Sequence, residues 1–378
     1  MERRSFLSRT GTGAAVGAAL LAAPAVTNAQ PAVRWRCTSG VPRTLDVLFG
    51  GAEDTASRVR EATGGRFEIT VAPAGEIVPM PQAVDAVIAG TVECAHVWAA
   101  WYTGIDTTWA FGSVIPFGLN IRQHKAWWID GGGGKMFNDW LRPRGVQFIL
   151  GGGSAGASMA GWFRREIRTL ADVRGLRFRI SGLGGNIWHA AGAVPQMIPG
   201  GEIYPALERG TIDAAEWICP YDDERLGFHR VARFYYYPGF HEGNMTFGFL
   251  VNNRAWEALP ADYRSSLTAA ALEASTLVKA RYDVRNELAL RRLIAGGTQL
   301  RELPRPVLES FWEHAQTIYA DLGRANADFR RFYDHYTDFQ RKAVPWSRIQ
   351  EHSYDDMIFR LLGRRRAPAA GQQQRRPS

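Results

Sequence analysis

Cysteine is scarce in this chain: three in 378 residues, at Cys37, Cys94 and Cys219. An odd count without CxxC spacing implies neither a disulfide framework nor a thiolate metal cage, so three buried free thiols are expected. After the first 29 residues no apolar run is long enough to span a bilayer. HExxH is absent, and the eight histidines are scattered without metal-ligand spacing. Metal hydrolysis therefore has no motif to rest on. Nucleotide loops are missing too. Lys135 after Gly131–Gly134 is followed by Met136, not Ser or Thr, and 181–185 lacks the full G-x-G-x-x-G spacing and its acidic partner. An excess of positive charge on the folded body is also lacking. Of the net +8, residues 1–29 carry +2 and the tail after Gly363 carries +5, which leaves about +1. No basic face for nucleic acid is indicated.

What is present suits a globular chain with more than one core. Hydrophobic residues make up 46% and aromatics 12%, with thirteen tryptophans. Residues 1–29 read as an export signal, with Arg3-Arg4-Ser5-Phe6-Leu7 as a twin-arginine motif and Thr27-Asn28-Ala29 at the cleavage end. A membrane anchor is the competing reading, but the apolar run is Ala/Gly-rich and short. Export points to the periplasm. The Arg-, Pro- and Gln-rich tail over 363–378 is expected to be disordered.

The body alternates strand and helix patterns, which indicates βαβ units and a largely parallel sheet. Strands are expected at 34–37, 67–71, 91–97, 146–150, 159–163, 176–180 and 246–251, with Gly151–Gly153 ending the fourth. Helices are expected at 54–62, 79–88 and on both sides of Gly131–Gly134, and 181–186 reads as a Gly-rich turn. Three more helices are expected from Pro260 to 294, at 306–322 and at 329–339, where they should brace both lobes or another subunit. The run 86–96 matches 206–216 in register: helix, Gly, Thr, a β-branched residue, an acid and a small pair. Two α/β lobes of like architecture follow, with His96 as the counterpart of Glu216.

Candidate site residues concentrate between Arg174 and Trp217. Arg179 ends a strand, where open sheets place ligands, and Arg177 stands two residues away on the same face. One or both could pair with surface carboxylates. Alternatively, a planar guanidinium could clamp a ligand carboxylate in bidentate fashion. Glu216 and Glu242, beside Trp217 and Phe240, could be a glycosidase pair, oxygen ligands for a hard cation, or solvated acids.

Together these stretches resemble a known family. The Gly-Thr-Ile-Asp-Ala-Ala-Glu-Trp run at 210–217, Arg177-Phe178-Arg179, the 235–242 run Tyr-Tyr-Tyr-Pro-Gly-Phe-His-Glu and the 253–260 run are similar to DctP-type solute-binding proteins. These are the periplasmic receptors of tripartite ATP-independent periplasmic (TRAP) transporters. The resemblance extends from about Val33 to Leu362 and is nearest to the branch that binds 2-oxo and 2-hydroxy monocarboxylates beside a cation. It implies a two-lobed α/β fold of the periplasmic-binding-protein type II class, with hinge strands, a long lobe-spanning helix and a helical C-terminal extension. Lobe I would take 33–157 plus about 246–290. Lobe II and the C-terminal helices would take 158–245 plus about 291–362. Carried over by residue, Arg179 holds the substrate carboxylate; Glu216, the carbonyl of Trp217 and Glu242 hold Na+ or Ca2+; Glu242 also meets substrate. Trp101 and Tyr102 are added as substrate contacts. Ser158-Met159-Ala160-Gly161 departs from the usual Gln-Met-Gly-Gly, so Ser158 stands where a longer glutamine would reach ligand and cation. A water could fill that gap, or the substrate could be larger. The implied partners are a small organic carboxylate, TRAP membrane subunits and a second copy through the C-terminal helices, with no nucleotide. The competing expectation is an exported glycosidase using Glu216 and Glu242.

Overall fold

Two sheets, each built around a β-α-β-α-β unit, set the architecture of this computed structural model, which describes residues 31–364. The expectations for the leader at 1–29 and for 365–378 lie outside the described residues, while Gly363 and Arg364 continue the last helix.

The first unit runs β1 (Val33–Ser39), α1 (Asp46–Ala62), β2 (Phe67–Ala72), α2 (Ala83–Ile88) and β3 (Cys94–Val97). Both β2 and β3 pair parallel to β1. α1 begins well before the expected residue 54, because Val47, Leu48, Ala52, Thr55 and Val59 give it one continuous buried face. Asn120 then caps α3 (Ile121–Ile129) in a reciprocal box with Gln123, and α4 (Gly133–Leu141) leads to β4 (Val146–Ala155). β4 does not stop at Gly151–Gly153; all ten of its residues are buried strand. A Cβ on Gly151 would fall 2.2 Å from the Ala271 carbonyl oxygen, and one on Gly51 2.0 Å from that of Gly152. Glycine here does not break the strand. It lets two helices lie directly on it.

The second lobe adds β5 (Gly161–Phe163), β6 (Arg177–Arg179), α5 (Gly182–Ala190), β7 (Val194–Gln196), α6 (Gly200–Glu208), β8 (Ala214–Ala215), α7 (Pro220–Leu226) and β9 (Phe234–Tyr237). Residues 181–186 do not form a Gly-rich turn: Ser181 takes the N-cap position and α5 starts at Gly182. The chain returns to the first sheet as β10 (Met245–Asn252), antiparallel to both β3 and β4. The first sheet has the order β2-β1-β3-β10-β4, and the second, read from its other edge, β7-β6-β8-β5-β9 and a final strand β11 (Gln299–Glu302). In each, three parallel strands in the order second-first-third meet an antiparallel strand from another part of the chain. The resemblance between 86–96 and 206–216 is thus a shared topology. The fold is α/β with two lobes, as expected.

After α8 (Asn253–Ala258), α9 (Ala261–Ala295) is about 52 Å long at 1.5 Å per residue. Its Leu267, Ala270 and Ala271 pack in the lobe I core with Trp35 and Phe249, while Leu293 joins Trp162 and Ile203 of lobe II. The remaining helices are α10 (Arg305–Ala325), α11 (Ala327–Ser347) and α12 (Ser353–Arg364), the last absent from the sequence expectation. Phe311 of α10 meets Trp188 and Phe240 of lobe II. Phe332 and Tyr336 of α11 instead meet Phe111 and Trp127 of lobe I. Of the C-terminal helices, α10 thus packs on lobe II and α11 carries its aromatic face onto lobe I. All three cysteines are buried free thiols.

Candidate functional site

Two short crossovers join the lobes where the candidate side chains gather. One runs from β4 to β5 and contains Ser158; the other runs from β9 to β10 and contains His241 and Glu242. They are tied to each other by backbone bonds from Ser158 N to the Glu242 carbonyl (3.0 Å) and from Gly239 N to the Ser158 carbonyl (3.1 Å). A Cβ at Gly239 would stand 2.2 Å from that Ser158 oxygen, so the close approach requires glycine.

Arg179 closes β6 and is 5% exposed. Its Nη1 donates to the Glu216 carbonyl at 2.6 Å, its Nε to the Ile198 carbonyl at 3.2 Å, and its guanidinium lies 4.9 Å over the Trp217 ring. Nη2 has no hydrogen-bond partner among the described residues, and the side chain lines a cavity. Burial pulls the Arg179 pKa down, and the charges of Glu216, Glu242 and Asp223 oppose that pull. Arginine keeps its charge regardless. Arg177 has the other fate weighed for it: it forms a bidentate pair with Asp213 at 2.7 and 2.9 Å, partly exposed.

Glu216 follows β8 directly, and its N–H donates to the Arg179 carbonyl. Its carboxylate is 1% exposed, and neither oxygen accepts a hydrogen bond from the described residues, although Arg179 Nη1 lies 3.5 Å from Oε2. Two unbonded buried carboxylate oxygens are costly. Glu242 is buried beside it. Burial pushes the Glu242 carboxyl well above the ordinary range, the Glu216 charge adds to this, and Arg179 and the Ser158 hydroxyl oppose it. His241 completes the group: Nε2 stands 3.8 Å from Glu216 Oε1 and 3.3 Å from Ser158 Oγ. One donor atom each from Glu216, His241 and Glu242 falls within a 4.8 Å cluster. A hard cation fits there, since it would neutralise two carboxylates that otherwise repel each other.

The residues named from sequence divide clearly. Arg179, Glu242, Trp217 and Trp101 line one cavity, with about 430 Å³ of space free of protein atoms. Ser158 sits behind it, against His241 and Glu242. Tyr102 is no substrate contact: it is buried in lobe I, its hydroxyl donates to the Met80 carbonyl at 3.2 Å, and its ring packs on Trp109. His96 does not line the cavity either: it is buried behind that wall, bonded to Ser39 Oγ between Phe247 and Phe249. Sequence spacing missed His241, whose partner Glu216 lies on a different element. It also missed the lobe I wall of Val41, Leu45, Leu48, Trp98, Met245 and Phe247, which leaves no motif in any single stretch.

Comparison with known proteins places this geometry among relatives. The family described as bacterial extracellular solute-binding protein, family 7, matches residues 38–326. A monocarboxylate 2-oxoacid-binding periplasmic protein of Nostoc sp. is 41% identical over 361 residues, covering 94% of this chain and 98% of its own. A TRAP transporter solute-binding protein of Bordetella bronchiseptica is 44% identical with a TM-score of 0.86, over 88% of this chain and 99% of that one. Its crystal structure is a mixed-occupancy dimer with copurified calcium and picolinate in one site. A third relative, the TRAP periplasmic solute-binding protein of Pseudoalteromonas atlantica, holds sodium and pyruvate. It is 29% identical with a TM-score of 0.81, over 86% of this chain and 98% of that one.

Proposed function

The chain belongs to family 7 of the bacterial extracellular solute-binding proteins, and on that premise we propose that it is a periplasmic TRAP receptor for a 2-oxo monocarboxylate. The observation that carries this reading is Arg179. Its guanidinium is buried, held by the Glu216 and Ile198 carbonyls and the Trp217 ring, and the side chain lines the cavity. A carboxylate placed there receives a charged hydrogen bond, worth about 1.5–3 kcal/mol, in a site that excludes water.

A cation beside the ligand answers the two carboxylates. Glu216 and Glu242 would hold it with the carbonyl of Trp217, and calcium or sodium occupies the relatives from Bordetella and Pseudoalteromonas. When bound, such an ion supplies positive charge that screens the ligand's carboxylate from those of the protein. The chain's own residues do the rest: Arg179 orients the ligand, and the bonded crossover segments hold Ser158 and Glu242 together beside it. The bound form is then offered to the TRAP membrane subunits. The ligand leaves chemically unchanged, and the competing hydrolase reading has no support among the relatives.

Titration calorimetry with 2-oxo acids tests this. Binding with about one ligand per chain is expected for the intact protein, weakened at least a hundredfold in Arg179→Ala, which removes the clamp and leaves buried carboxylates unopposed. Chelation of divalent ions should weaken binding as well. Unaltered affinity in Arg179→Ala would overturn the assignment, and conversion of the recovered ligand, read by proton NMR, would revive an enzyme.

A further inference from the structure

Given that carboxylate-binding reading, we infer that the ligand carries a bulky apolar group, isobutyl-sized or larger with flat aryl groups included, and that the site discriminates against both pyruvate and dicarboxylates. The two walls of the cavity differ in kind. Lobe II presents Arg179, Ser181 and Glu242 together with Trp217 and Ile218. Lobe I presents Val41, Leu45, Leu48, Trp98, Trp101 and Phe247, without a charged or hydroxyl side chain among the cavity's lining residues there.

That apolar wall is rigid. Trp101 stands edge-on to Trp98 at 6.1 Å and 78°, and to Phe247 at 5.6 Å and 88°. Trp98 and Phe247 are themselves buried, and Gly40 seats the Trp101 ring so closely that a Cβ would meet it at 2.3 Å. Rigid aromatic surfaces bind flat or branched apolar groups at small entropic cost. Each methylene laid on such a wall contributes roughly fourfold in affinity. Pyruvate anchored at Arg179 has one methyl to offer, so most of the wall would stay uncovered. A second carboxylate would face it with no counter-charge. The polar side-chain atoms there are indole N–H groups; that of Trp98 is buried without a partner among the described residues. An indole N–H can donate to a neutral ketone or ring heteroatom, but it does not balance a charge.

The test is competition by calorimetry on the intact chain with calcium present, using pyruvate, 4-methyl-2-oxopentanoate, phenylpyruvate and 2-oxoglutarate. The two apolar acids should bind at least tenfold more tightly than pyruvate, with 2-oxoglutarate the weakest. Trp101→Ala should shrink the phenylpyruvate-to-pyruvate ratio at least fivefold; should that variant not fold, the wild-type ranking decides alone. Pyruvate or 2-oxoglutarate equal to or tighter than the apolar acids overturns the inference while the carboxylate reading stands. Absence of binding by all four overturns both.

Discussion

Arg177 and Arg179 stand two residues apart on one strand, and their surroundings separate them. Arg177 reaches the partly exposed Asp213 and contributes as surface pairs do. Arg179 is desolvated, and its backbone partners hold the guanidinium without neutralising it. Arg179→Lys should therefore fail to restore carboxylate affinity, since a point charge cannot both hold the Glu216 and Ile198 carbonyls and reach the ligand; calorimetry showing near-native affinity in the lysine variant would count against the clamp. A second buried group controls stability instead. Burial raises Asp223 to about 7, with the Glu216 charge adding to the rise, although Tyr235, Trp162 and the Ile218 N–H donate to it. Between about pH 4 and 7 the folded chain keeps a proton that the unfolded chain has released, so stability falls as pH rises through that window. Asp223→Asn should flatten the decline, read as unfolding midpoint against pH. A slope unchanged from wild type would assign it elsewhere.

At the scale of elements, α1, α7 and α9 meet at one carboxylate. Asp46 opens α1 of lobe I and accepts from Tyr221 of α7 at 3.1 Å and from Arg285 of α9 at 2.8 Å, with Arg225 at 3.5 Å. Arg225 also donates to the Thr44 carbonyl at 2.9 Å, next to Leu45 of the cavity wall. These contacts join lobe I to lobe II at the cavity, so they favour the closed arrangement. The groups are partly exposed, and each pair contributes roughly 0.2–1 kcal/mol. Asp46→Ala should accordingly speed ligand release about threefold to tenfold, with little change in unfolding midpoint. Stopped-flow release at the wild-type rate would show that the cluster does not favour closure.

For the whole molecule, α9 spans both lobes, while α10 packs on lobe II and α11 on lobe I. α12 is different. Its principal packing is with the helical turn before it, and Tyr354, Phe359 and Leu362 are 60%, 80% and 59% exposed. So apolar a face on a helix end calls for a cover. We propose a second copy as that cover, consistent with the dimer of the Bordetella bronchiseptica relative. Phe359→Asp with Leu362→Asp should convert dimer to monomer in light scattering after size exclusion; a wild-type chain already monomeric at micromolar concentration would dispose of the idea.

Strand-helix alternation, the parallel order of the units and the placing of Arg179 and Glu216 at strand ends were legible in the sequence. They depend on local period and on caps and breaks a few residues away. The strand through Gly151–Gly153 was not, because glycine reads as a stop unless the helix it admits is known. Nor was Tyr102 distinguishable from Trp101: adjacent residues share every local signal, and their burial environments separate them. His241, the apolar wall and the Asp46 cluster exist only where distant segments meet, Asp46 and Tyr221 being 175 residues apart. By itself the sequence determined which lobes form and which arginine ends a strand. Tertiary structure alone decided what faces that arginine, since opposing walls of a cleft come from segments that no local period connects.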